Sequence, residues 1–487
     1  VNVLKWLRQL GSRKATPGKG SVPGRVLVVR GRYDAAQTTP DNRKHWANAD
    51  HLSADAAASP EVRRTLRNRA RYEVANNSYA RGIVLTLAND VIGTGPRLQM
   101  LADSVEANRV IEAEFARWAK AVGLPEKLRT MRQARAQDGE AFALLFSNSG
   151  HDSPVKLDVR LIEADQVTTP DLSLAKTNAV DGIVLDEYGN PREYHVLKEH
   201  PGGEKALATS EYDRVPAASV IHWFRADRPG QNRGLPDILP ALPLFAQLRR
   251  YTLAVIAAAE SAANIAVLMK TNAPAGGEAA EVEPMTEMEF APNMAVFTPE
   301  GWEPSQVKAE QPATTYDMFK REILNEIARC LNMPYNVAAC NSSGYNYSSG
   351  RLDHQTYYKS IRVEQTHLEA VVLDRILSAW LAEAVKVFGL GDLGDATHQW
   401  FWDGHEHVDP AKEAAAQAQR LSTHTTTLAA EYARQGKDWE TELRQRAKEV
   451  ALMKELGLAS AEVAPRAPVE SDEDDAEQDE EVGRAAA

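Results

Sequence analysis

"DGIVLDEYGNPREYHVL", residues 181–197, decides the fold class. Ile183 and Leu185 on one side, and Tyr194 and Val196 on the other, recur at every second position around Gly189-Asn190-Pro191. A period of two presents alternate side chains to one face, and the Gly-Asn-Pro cluster supplies the turn, so the stretch predicts a β-hairpin. "KLDVRLIEADQV" (156–167) alternates in the same way, and "ASVIHWF" (218–224) is a further strand. Neighbouring strands this close in sequence pair antiparallel, and the segments on both sides have helical periods. The expectation is an α+β domain.

Working outward, Val62, Leu66, Ala70 and Val74 recur every four residues over 61–80 and predict a helix buried along that stripe. Arg63, Arg64, Arg67, Arg69 and Arg71 then form its outer face, solvated or in contact with another subunit. Further helices are expected over 82–91, ended by "IGTGP", then over 104–121 and 125–137. Residues 237–270 read as one alanine-rich helix, and residues 315–332 as another, with Thr314 and Asp317 as its cap and Phe319, Ile323, Ile327 and Leu331 on one face. Between them, 271–312 is rich in Pro, Gly and Glu with one strand at 294–298; helix, extended module and helix suggest a protruding stalk with a tip. A long helix over 356–388 ends at Gly389, "HQWFWDG" (398–404) is a strand, and helices return over 410–456.

Composition bounds the rest. The chain has 487 residues, 43% hydrophobic and 25% charged, which is ordinary for globular proteins and long enough for two to four domains. The net charge of −12 is uneven: 470–481 holds nine acids within a stretch, 461–487, expected to be disordered, while the first seventy residues are basic. Cys330 and Cys340 are too few for a disulfide scaffold and wrongly spaced for a redox pair, which favours a reducing compartment. No signal peptide is legible. The most apolar helix, 251–270, carries Glu260 and Asn264 near its middle, so no membrane span is expected.

Chemistry-bearing motifs are weak. "GSRKATPGKG" (11–20) has Arg13 and Gly20 where a phosphate loop needs Gly and Ser/Thr. His398, Asp403, His405, Glu406, His407 and Asp409 offer metal ligands, with His405 and His407 on one strand face, yet a hydrated loop explains them better. Glu163 and Asp165 form an acid pair with no partner base nearby. No catalytic residue, metal or cofactor is assigned. The most unusual segment is 224–242, where Arg225, Arg228, Gln231 and Arg233 sit in a Pro/Gly-framed turn leading into the long helix. It reads as a basic surface loop or as a joint pairing its arginines with acids of a neighbouring subunit. "NSSGYNYSSGRLDH" (341–354) is uncharged as far as Gly350.

Taken in order, these blocks resemble the lambda-type portal proteins of tailed phages. The resemblance rests on "RGRYDAAQTT" (30–39), residues 51–99 with "NNSYARGIVL", and "LIEADQV" (161–167). It continues through "GIVLDEYGNPREYHV" (182–196), "VIHWFRADRPGQNRGLPDILPAL" (220–242), "EIARCLNMPYNV" (326–337), "GYNYSSGRLDHQTYY" (344–358) and 409–440. It implies a twelve-membered ring at one capsid vertex, assembled in the bacterial host cytoplasm. Double-stranded DNA would be packaged and ejected through its channel. The terminase large subunit, capsid or scaffold proteins, and head-completion or tail adaptors would be partners, with no membrane. It further implies an arm (1–25), a wing (26–236 and 334–410), stem helices (237–270 and 313–333), a clip (271–312), a crown (411–457) and a tail (458–487). Tyr345, Asn346, Tyr347, Ser348, Ser349 and Arg351 become channel-loop residues near DNA, and the Arg225–Arg233 turn the stem joint. Two other readings are kept: a metal-dependent nuclease using the acid and histidine clusters, and a monomeric adaptor binding nucleic acid through Arg63, Arg64 and Arg67.

Overall fold

Ser59 opens the first long helix: its hydroxyl accepts from the Val62 amide and Pro60 occupies the first helical turn. In the computed structural model, which describes residues 37–169, 178–204, 211–263, 267–271, 302–306, 313–344, 346–391, 397–404 and 410–458, the chain divides into two units at Ser53. The described part of the first unit is turn-rich, with Thr39 and Asn42 bonding each other's backbone and side chain.

The second unit begins with α1 (Ala54–Ala57), α2 (Pro60–Asn76) and α3 (Ser78–Ile92). Asn77 separates the last two and caps α3 by accepting from the Tyr79 and Ala80 amides. After β1 (Arg97–Met100) come α4 (Val105–Ala121) and α5 (Leu124–Asp138). The antiparallel domain follows as expected. β2 (Glu140–Ser147) runs between β3 (Leu157–Ile162) and β8 (Val220–Phe224), with Phe142 opposite both Ile162 and His222. A second sheet orders β4 (Ala179–Val180), β5 (Ile183–Leu185), β6 (Pro191–Leu197) and β7 (Tyr212–Pro216) as a meander, and β5–β6 is the hairpin read from 181–197. The architecture is α+β.

Helix α6 (Leu242–Ala263) is shorter than the expected 237–270, and 267–271 is instead a strand, β9 (Val267–Thr271), paired antiparallel with β10 (Trp302–Gln306). Residues 267–269, Val-Leu-Met, suit either element, and strand pairing supplied the bonds that helix would otherwise have made. The strand expected at 294–298 lies outside the described residues. The return helix is α7 (Ala313–Arg329), followed by the short α8 (Tyr335–Ala339). Next, α9 (Tyr347–Leu368), a π-helical turn (Glu369–Leu373) and α10 (Asp374–Phe388) run on without interruption. The helix therefore starts nine residues earlier than the sequence suggested. β11 (His398–Phe401) pairs with β1, about three hundred residues away in sequence. The chain then enters α11 (Pro410–Ser422), α12 (Leu428–Arg434) and α13 (Trp439–Glu455).

The main core lies among α3, α4, α5, the three-stranded sheet and α9–α10, with Trp118, Trp223 and Trp380 fully buried. Phe115 stands 5.3 Å from both Trp118 and Trp380, one pair tilted and the other edge-to-face. A smaller core between the two sheets holds Phe142, Val167, Ile183, Tyr194 and Val220. No helix among the described residues is long and apolar enough to cross a membrane.

Candidate functional site

Three arginines of α2 point inward. Arg63 and Arg67 are almost fully buried, whereas Val62, expected on the inner face, is 42% exposed. The buried stripe is Arg63, Arg67, Ala70 and Glu73, so the arginine-rich outer face is a misreading for Arg63 and Arg67; Arg64 and Arg69 remain exposed. The reason lies beneath them. Arg63 pairs with Asp181; Arg67 with Glu140 at 3.3 Å and Asp165 at 2.9 Å; Arg71 with Asp138 at 2.6 Å and Asp165 at 2.9 Å. Buried arginines need such partners, and the sheet and its loops supply them.

Glu140, at the start of β2, is the hub. Arg233 grips it with Nε at 2.8 Å from Oε2 and Nη2 at 2.6 Å from Oε1, and both side chains are completely inaccessible. Arg233 Nη1 also donates to the Val167 carbonyl (2.9 Å) and the Asp181 carbonyl (2.5 Å). His222 lies 3.1 Å from the second Glu140 oxygen and stacks between Phe142 and Phe224. Burial alone would raise the Glu140 pKa, but Arg233 and the hydrogen bonds from His222 and Arg233 hold it well below the usual carboxylate range. Burial pushes the His222 pKa down despite Glu140 beside it, so its ring is neutral at pH 7.

The 225–237 turn is braced largely within the chain. Gln231 Oε1 accepts from the Asp227 and Arg228 amides, and its Nε2 donates to the Arg233 carbonyl. Asn232 bonds Asp55 twice, tying the turn to α1. Arg233 and Gln231 are buried, so the expected pairing of Arg233 across a subunit contact gives way to Glu140 and Asp181 of the same chain. Arg225 and Arg228 remain exposed; Arg225 bonds Asp227 at 2.7 Å and approaches Asp237 at 3.3 Å. Gly234 is required here, because a Cβ on it would strike the Gly139 carbonyl, and Gly139 itself holds φ +91° at the end of α5. A second cluster joins the turn to α9: Arg132 and Arg135 both pair with Asp237 and Glu364.

Of the expected channel-loop residues, Tyr345 lies outside the described residues, as do the side chains of Tyr347, Ser348 and Ser349. Tyr347, Ser348, Ser349 and Arg351 belong to the first turns of α9, so the expected loop 341–351 is a shorter loop followed by helix. The Gly350 amide donates to the Asn346 carbonyl, and Asn346 and Arg351 are exposed. Arg321 of α7 holds the loop by donating to the Ser343 carbonyl at 3.1 Å. Tertiary packing outweighs the poor propensity of Ser-Ser-Gly, since Tyr357, Ile361 and Leu368 on the same helix are buried.

Glu163 and Asp165 do meet a histidine: with His200 their ligand atoms fall within 4.8 Å of one another. The same two carboxylates already face Arg71, at 3.2 and 2.9 Å, and Asp165 also faces Arg67. A cation there would compete with two guanidinium groups. His405, Glu406, His407 and Asp409 lie outside the described residues; Asp403 is occupied as an acceptor for the Thr94 amide and hydroxyl. The Arg63 and Arg67 of the adaptor reading are buried and paired, which withdraws them from any nucleic acid. Nothing in the alternation of α2 signals which face meets acids; only Asp138, Glu140, Asp165 and Asp181 falling under it in space reveal that.

The curated "Probable portal protein" of Halomonas phage phiHAP-1 is 26% identical over 461 residues, covering 87% of either chain. Among solved structures, a chain from the neck of an empty GTA particle aligns over 78% of this chain and 94% of its own, at 12% identity and TM-score 0.48. An HK97-family phage portal protein from Corynebacterium diphtheriae aligns over 74% and 97%, at 12% identity and TM-score 0.27. Residues 40–365 match the family described as phage portal protein, lambda family, whose role is structural rather than catalytic. That match spans well over half of the sequence, and the chain belongs to the lambda family of phage portal proteins.

Proposed function

We propose that copies of this chain close into a ring, twelve-membered by the family resemblance, at one vertex of a phage capsid, and that double-stranded DNA is packaged and ejected through its channel. Family membership over residues 40–365 carries this reading. A physical observation supports it. Helices α6 and α7 lie against each other through Tyr251, stacked on Tyr316 and 4.5 Å from Phe319. Together they leave Leu253, Ile256, Met318 and Phe319 between 45% and 60% exposed. Neighbouring apolar side chains left open in this way are suited to cover by another copy, and a heterologous contact whose rotation closes makes a ring.

In this arrangement α6 and α7 are the stem helices, 271–312 the clip facing the terminase large subunit, 26–236 with 334–410 the wing, and 411–457 the crown. Capsid or scaffold proteins and head-completion or tail adaptors bind the outer surfaces. Exposed Arg225 and Arg228 remain candidates for inter-subunit pairing at the stem joint. The segment around Tyr345, Asn346, Tyr347, Ser348, Ser349 and Arg351 lies beside DNA. Its scarcity of charge suits a surface that must release phosphates, because each Lys or Arg contact adds affinity through counterion release.

Electron microscopy and native mass spectrometry of the pure protein test the ring. Wild type is expected to form closed rings, and Leu253→Asp with Phe319→Asp to leave monomers. Wild-type protein that stays monomeric at micromolar concentration across several salt conditions overturns the reading. Tyr345→Ala with Tyr347→Ala is expected to spare rings and impair packaging or retention of DNA; normal packaging removes the channel role of that loop.

A further inference from the structure

A cavity of about 910 Å3 opens between α5, the end of β8 with its following turn, the C-terminal end of α7, and α9. Its wall is charged and unbalanced. Arg132, Arg135, Arg225, Arg329 and Lys359 line it against only two acids, Asp237 and Glu364. Those acids are engaged by Arg132, Arg135 and Arg225. Among the described residues Arg329 and Lys359 make no ion pair; Arg329 donates only to Asn332. Arg135 is buried with its guanidinium 4.8 Å from the Trp223 ring centre. Its Nη1 stands 3.2 Å from Glu364, yet neither Nε nor Nη1 makes a hydrogen bond. Buried N–H groups left this way are costly unless something accepts from them. His222 and His367 share the wall, and burial keeps both rings neutral at pH 7, so they do not alter the excess.

We propose that this cavity receives carboxylates from the chain's own acidic run, residues 470–481. Nine acids and no lysine or arginine occupy that run, which makes it the strongest complement to the cavity anywhere in the sequence. Guanidinium groups take carboxylates in paired hydrogen bonds, and the concave wall strengthens them by excluding water. The run is joined to Leu458, the last described residue, by residues 459–469, enough chain to reach about 40 Å when extended. A linker that spans the gap presents the acids at an effective concentration on the order of millimolar, at which individually weak ion pairs suffice. The occupied cavity would then have no free cations to catch a phosphate.

Two measurements on full-length protein test this. Carbodiimide joins a lysine amine directly to a touching carboxylate, and peptide mapping should find Lys359 linked to an acid within 470–481. In the second, the nine acids are replaced by their amides in the full chain, which leaves the cavity open to a labelled synthetic peptide of residues 468–482. That peptide should bind, and Arg225→Ser with Lys359→Ser, both exposed positions, should weaken it by about tenfold or more. Lys359 linked only to acids elsewhere overturns the proposal, as does peptide affinity unchanged by the two substitutions. Tighter capture of a labelled DNA duplex than of the peptide through the same residues also overturns it, and assigns the cavity to phosphate.

Discussion

Replacing Arg233 with methionine isolates the energetics of the hub. The substitution keeps most of the side-chain volume and removes the bidentate grip on Glu140, leaving that carboxylate with His222 at 3.1 Å, the Gly234 amide at 3.0 Å and Arg67 at 3.3 Å. Both Arg233 and Glu140 are inaccessible to water, so no solvent replaces the lost partner. Breaking one side of a buried pair costs about 3–5 kcal/mol, most of it the penalty of the charge left behind. The Val167 and Asp181 carbonyls also lose their donor. Urea unfolding followed by tryptophan fluorescence and circular dichroism should show a loss in that range. The Glu140 pKa should rise, and protonating the stranded carboxylate removes its charge, so the stability gap to wild type should narrow as the pH falls. Adding Glu140→Gln removes the stranded charge and should recover much of the loss. A shift under about 1 kcal/mol for Arg233→Met, typical of a surface substitution, refutes the account of the hub. Failure of Glu140→Gln to recover any stability refutes the stranded charge as its cause.

Three further substitutions extend this. The His222 folded pKa is lowered by burial, so between that value and its unfolded value near 6.5 the unfolded chain holds a proton the folded chain excludes. Stability is therefore present above about pH 6.5 and falls as the pH drops below it. His222→Gln should flatten the slope of melting temperature between pH 7 and 5, and an unchanged slope sinks the assignment. Gly234→Ala forces a methyl group into the Gly139 carbonyl and should cost about 3 kcal/mol or more by overpacking. Gly189→Ala, where the φ of +86° is strained but space is open, should cost roughly 1–2 kcal/mol. Equal melting of the two variants contradicts the close approach of the two backbones.

The alternation in 156–167 and 181–197 was enough to read those strands, because the period of two is local. The helices over 104–121 and 125–137 were legible for the same reason: their signals lie within a turn or two of the chain. Family membership was also present in the sequence, in blocks kept in order. The start of α9 at Tyr347 was hidden, because Ser-Ser-Gly disfavours helix and only packing farther along extends it. So was the strand at Val267–Thr271, whose hydrogen bonds come from Trp302–Gln306. The face of α2 shows the limit most clearly. Val62, Leu66, Ala70 and Val74 form the apolar stripe, and a rule of hydrophobic burial selects it. The fold instead brings Asp138, Glu140, Asp165 and Asp181 beneath Arg63, Arg67 and Arg71, so that Arg63 and Arg67 are buried beside Ala70 while Val62 is left exposed. Periodicity fixes where a helix runs and which side chains share a face. Which face turns inward depends on what the rest of the chain places there, and long-range charge pairing is set only when the tertiary structure forms.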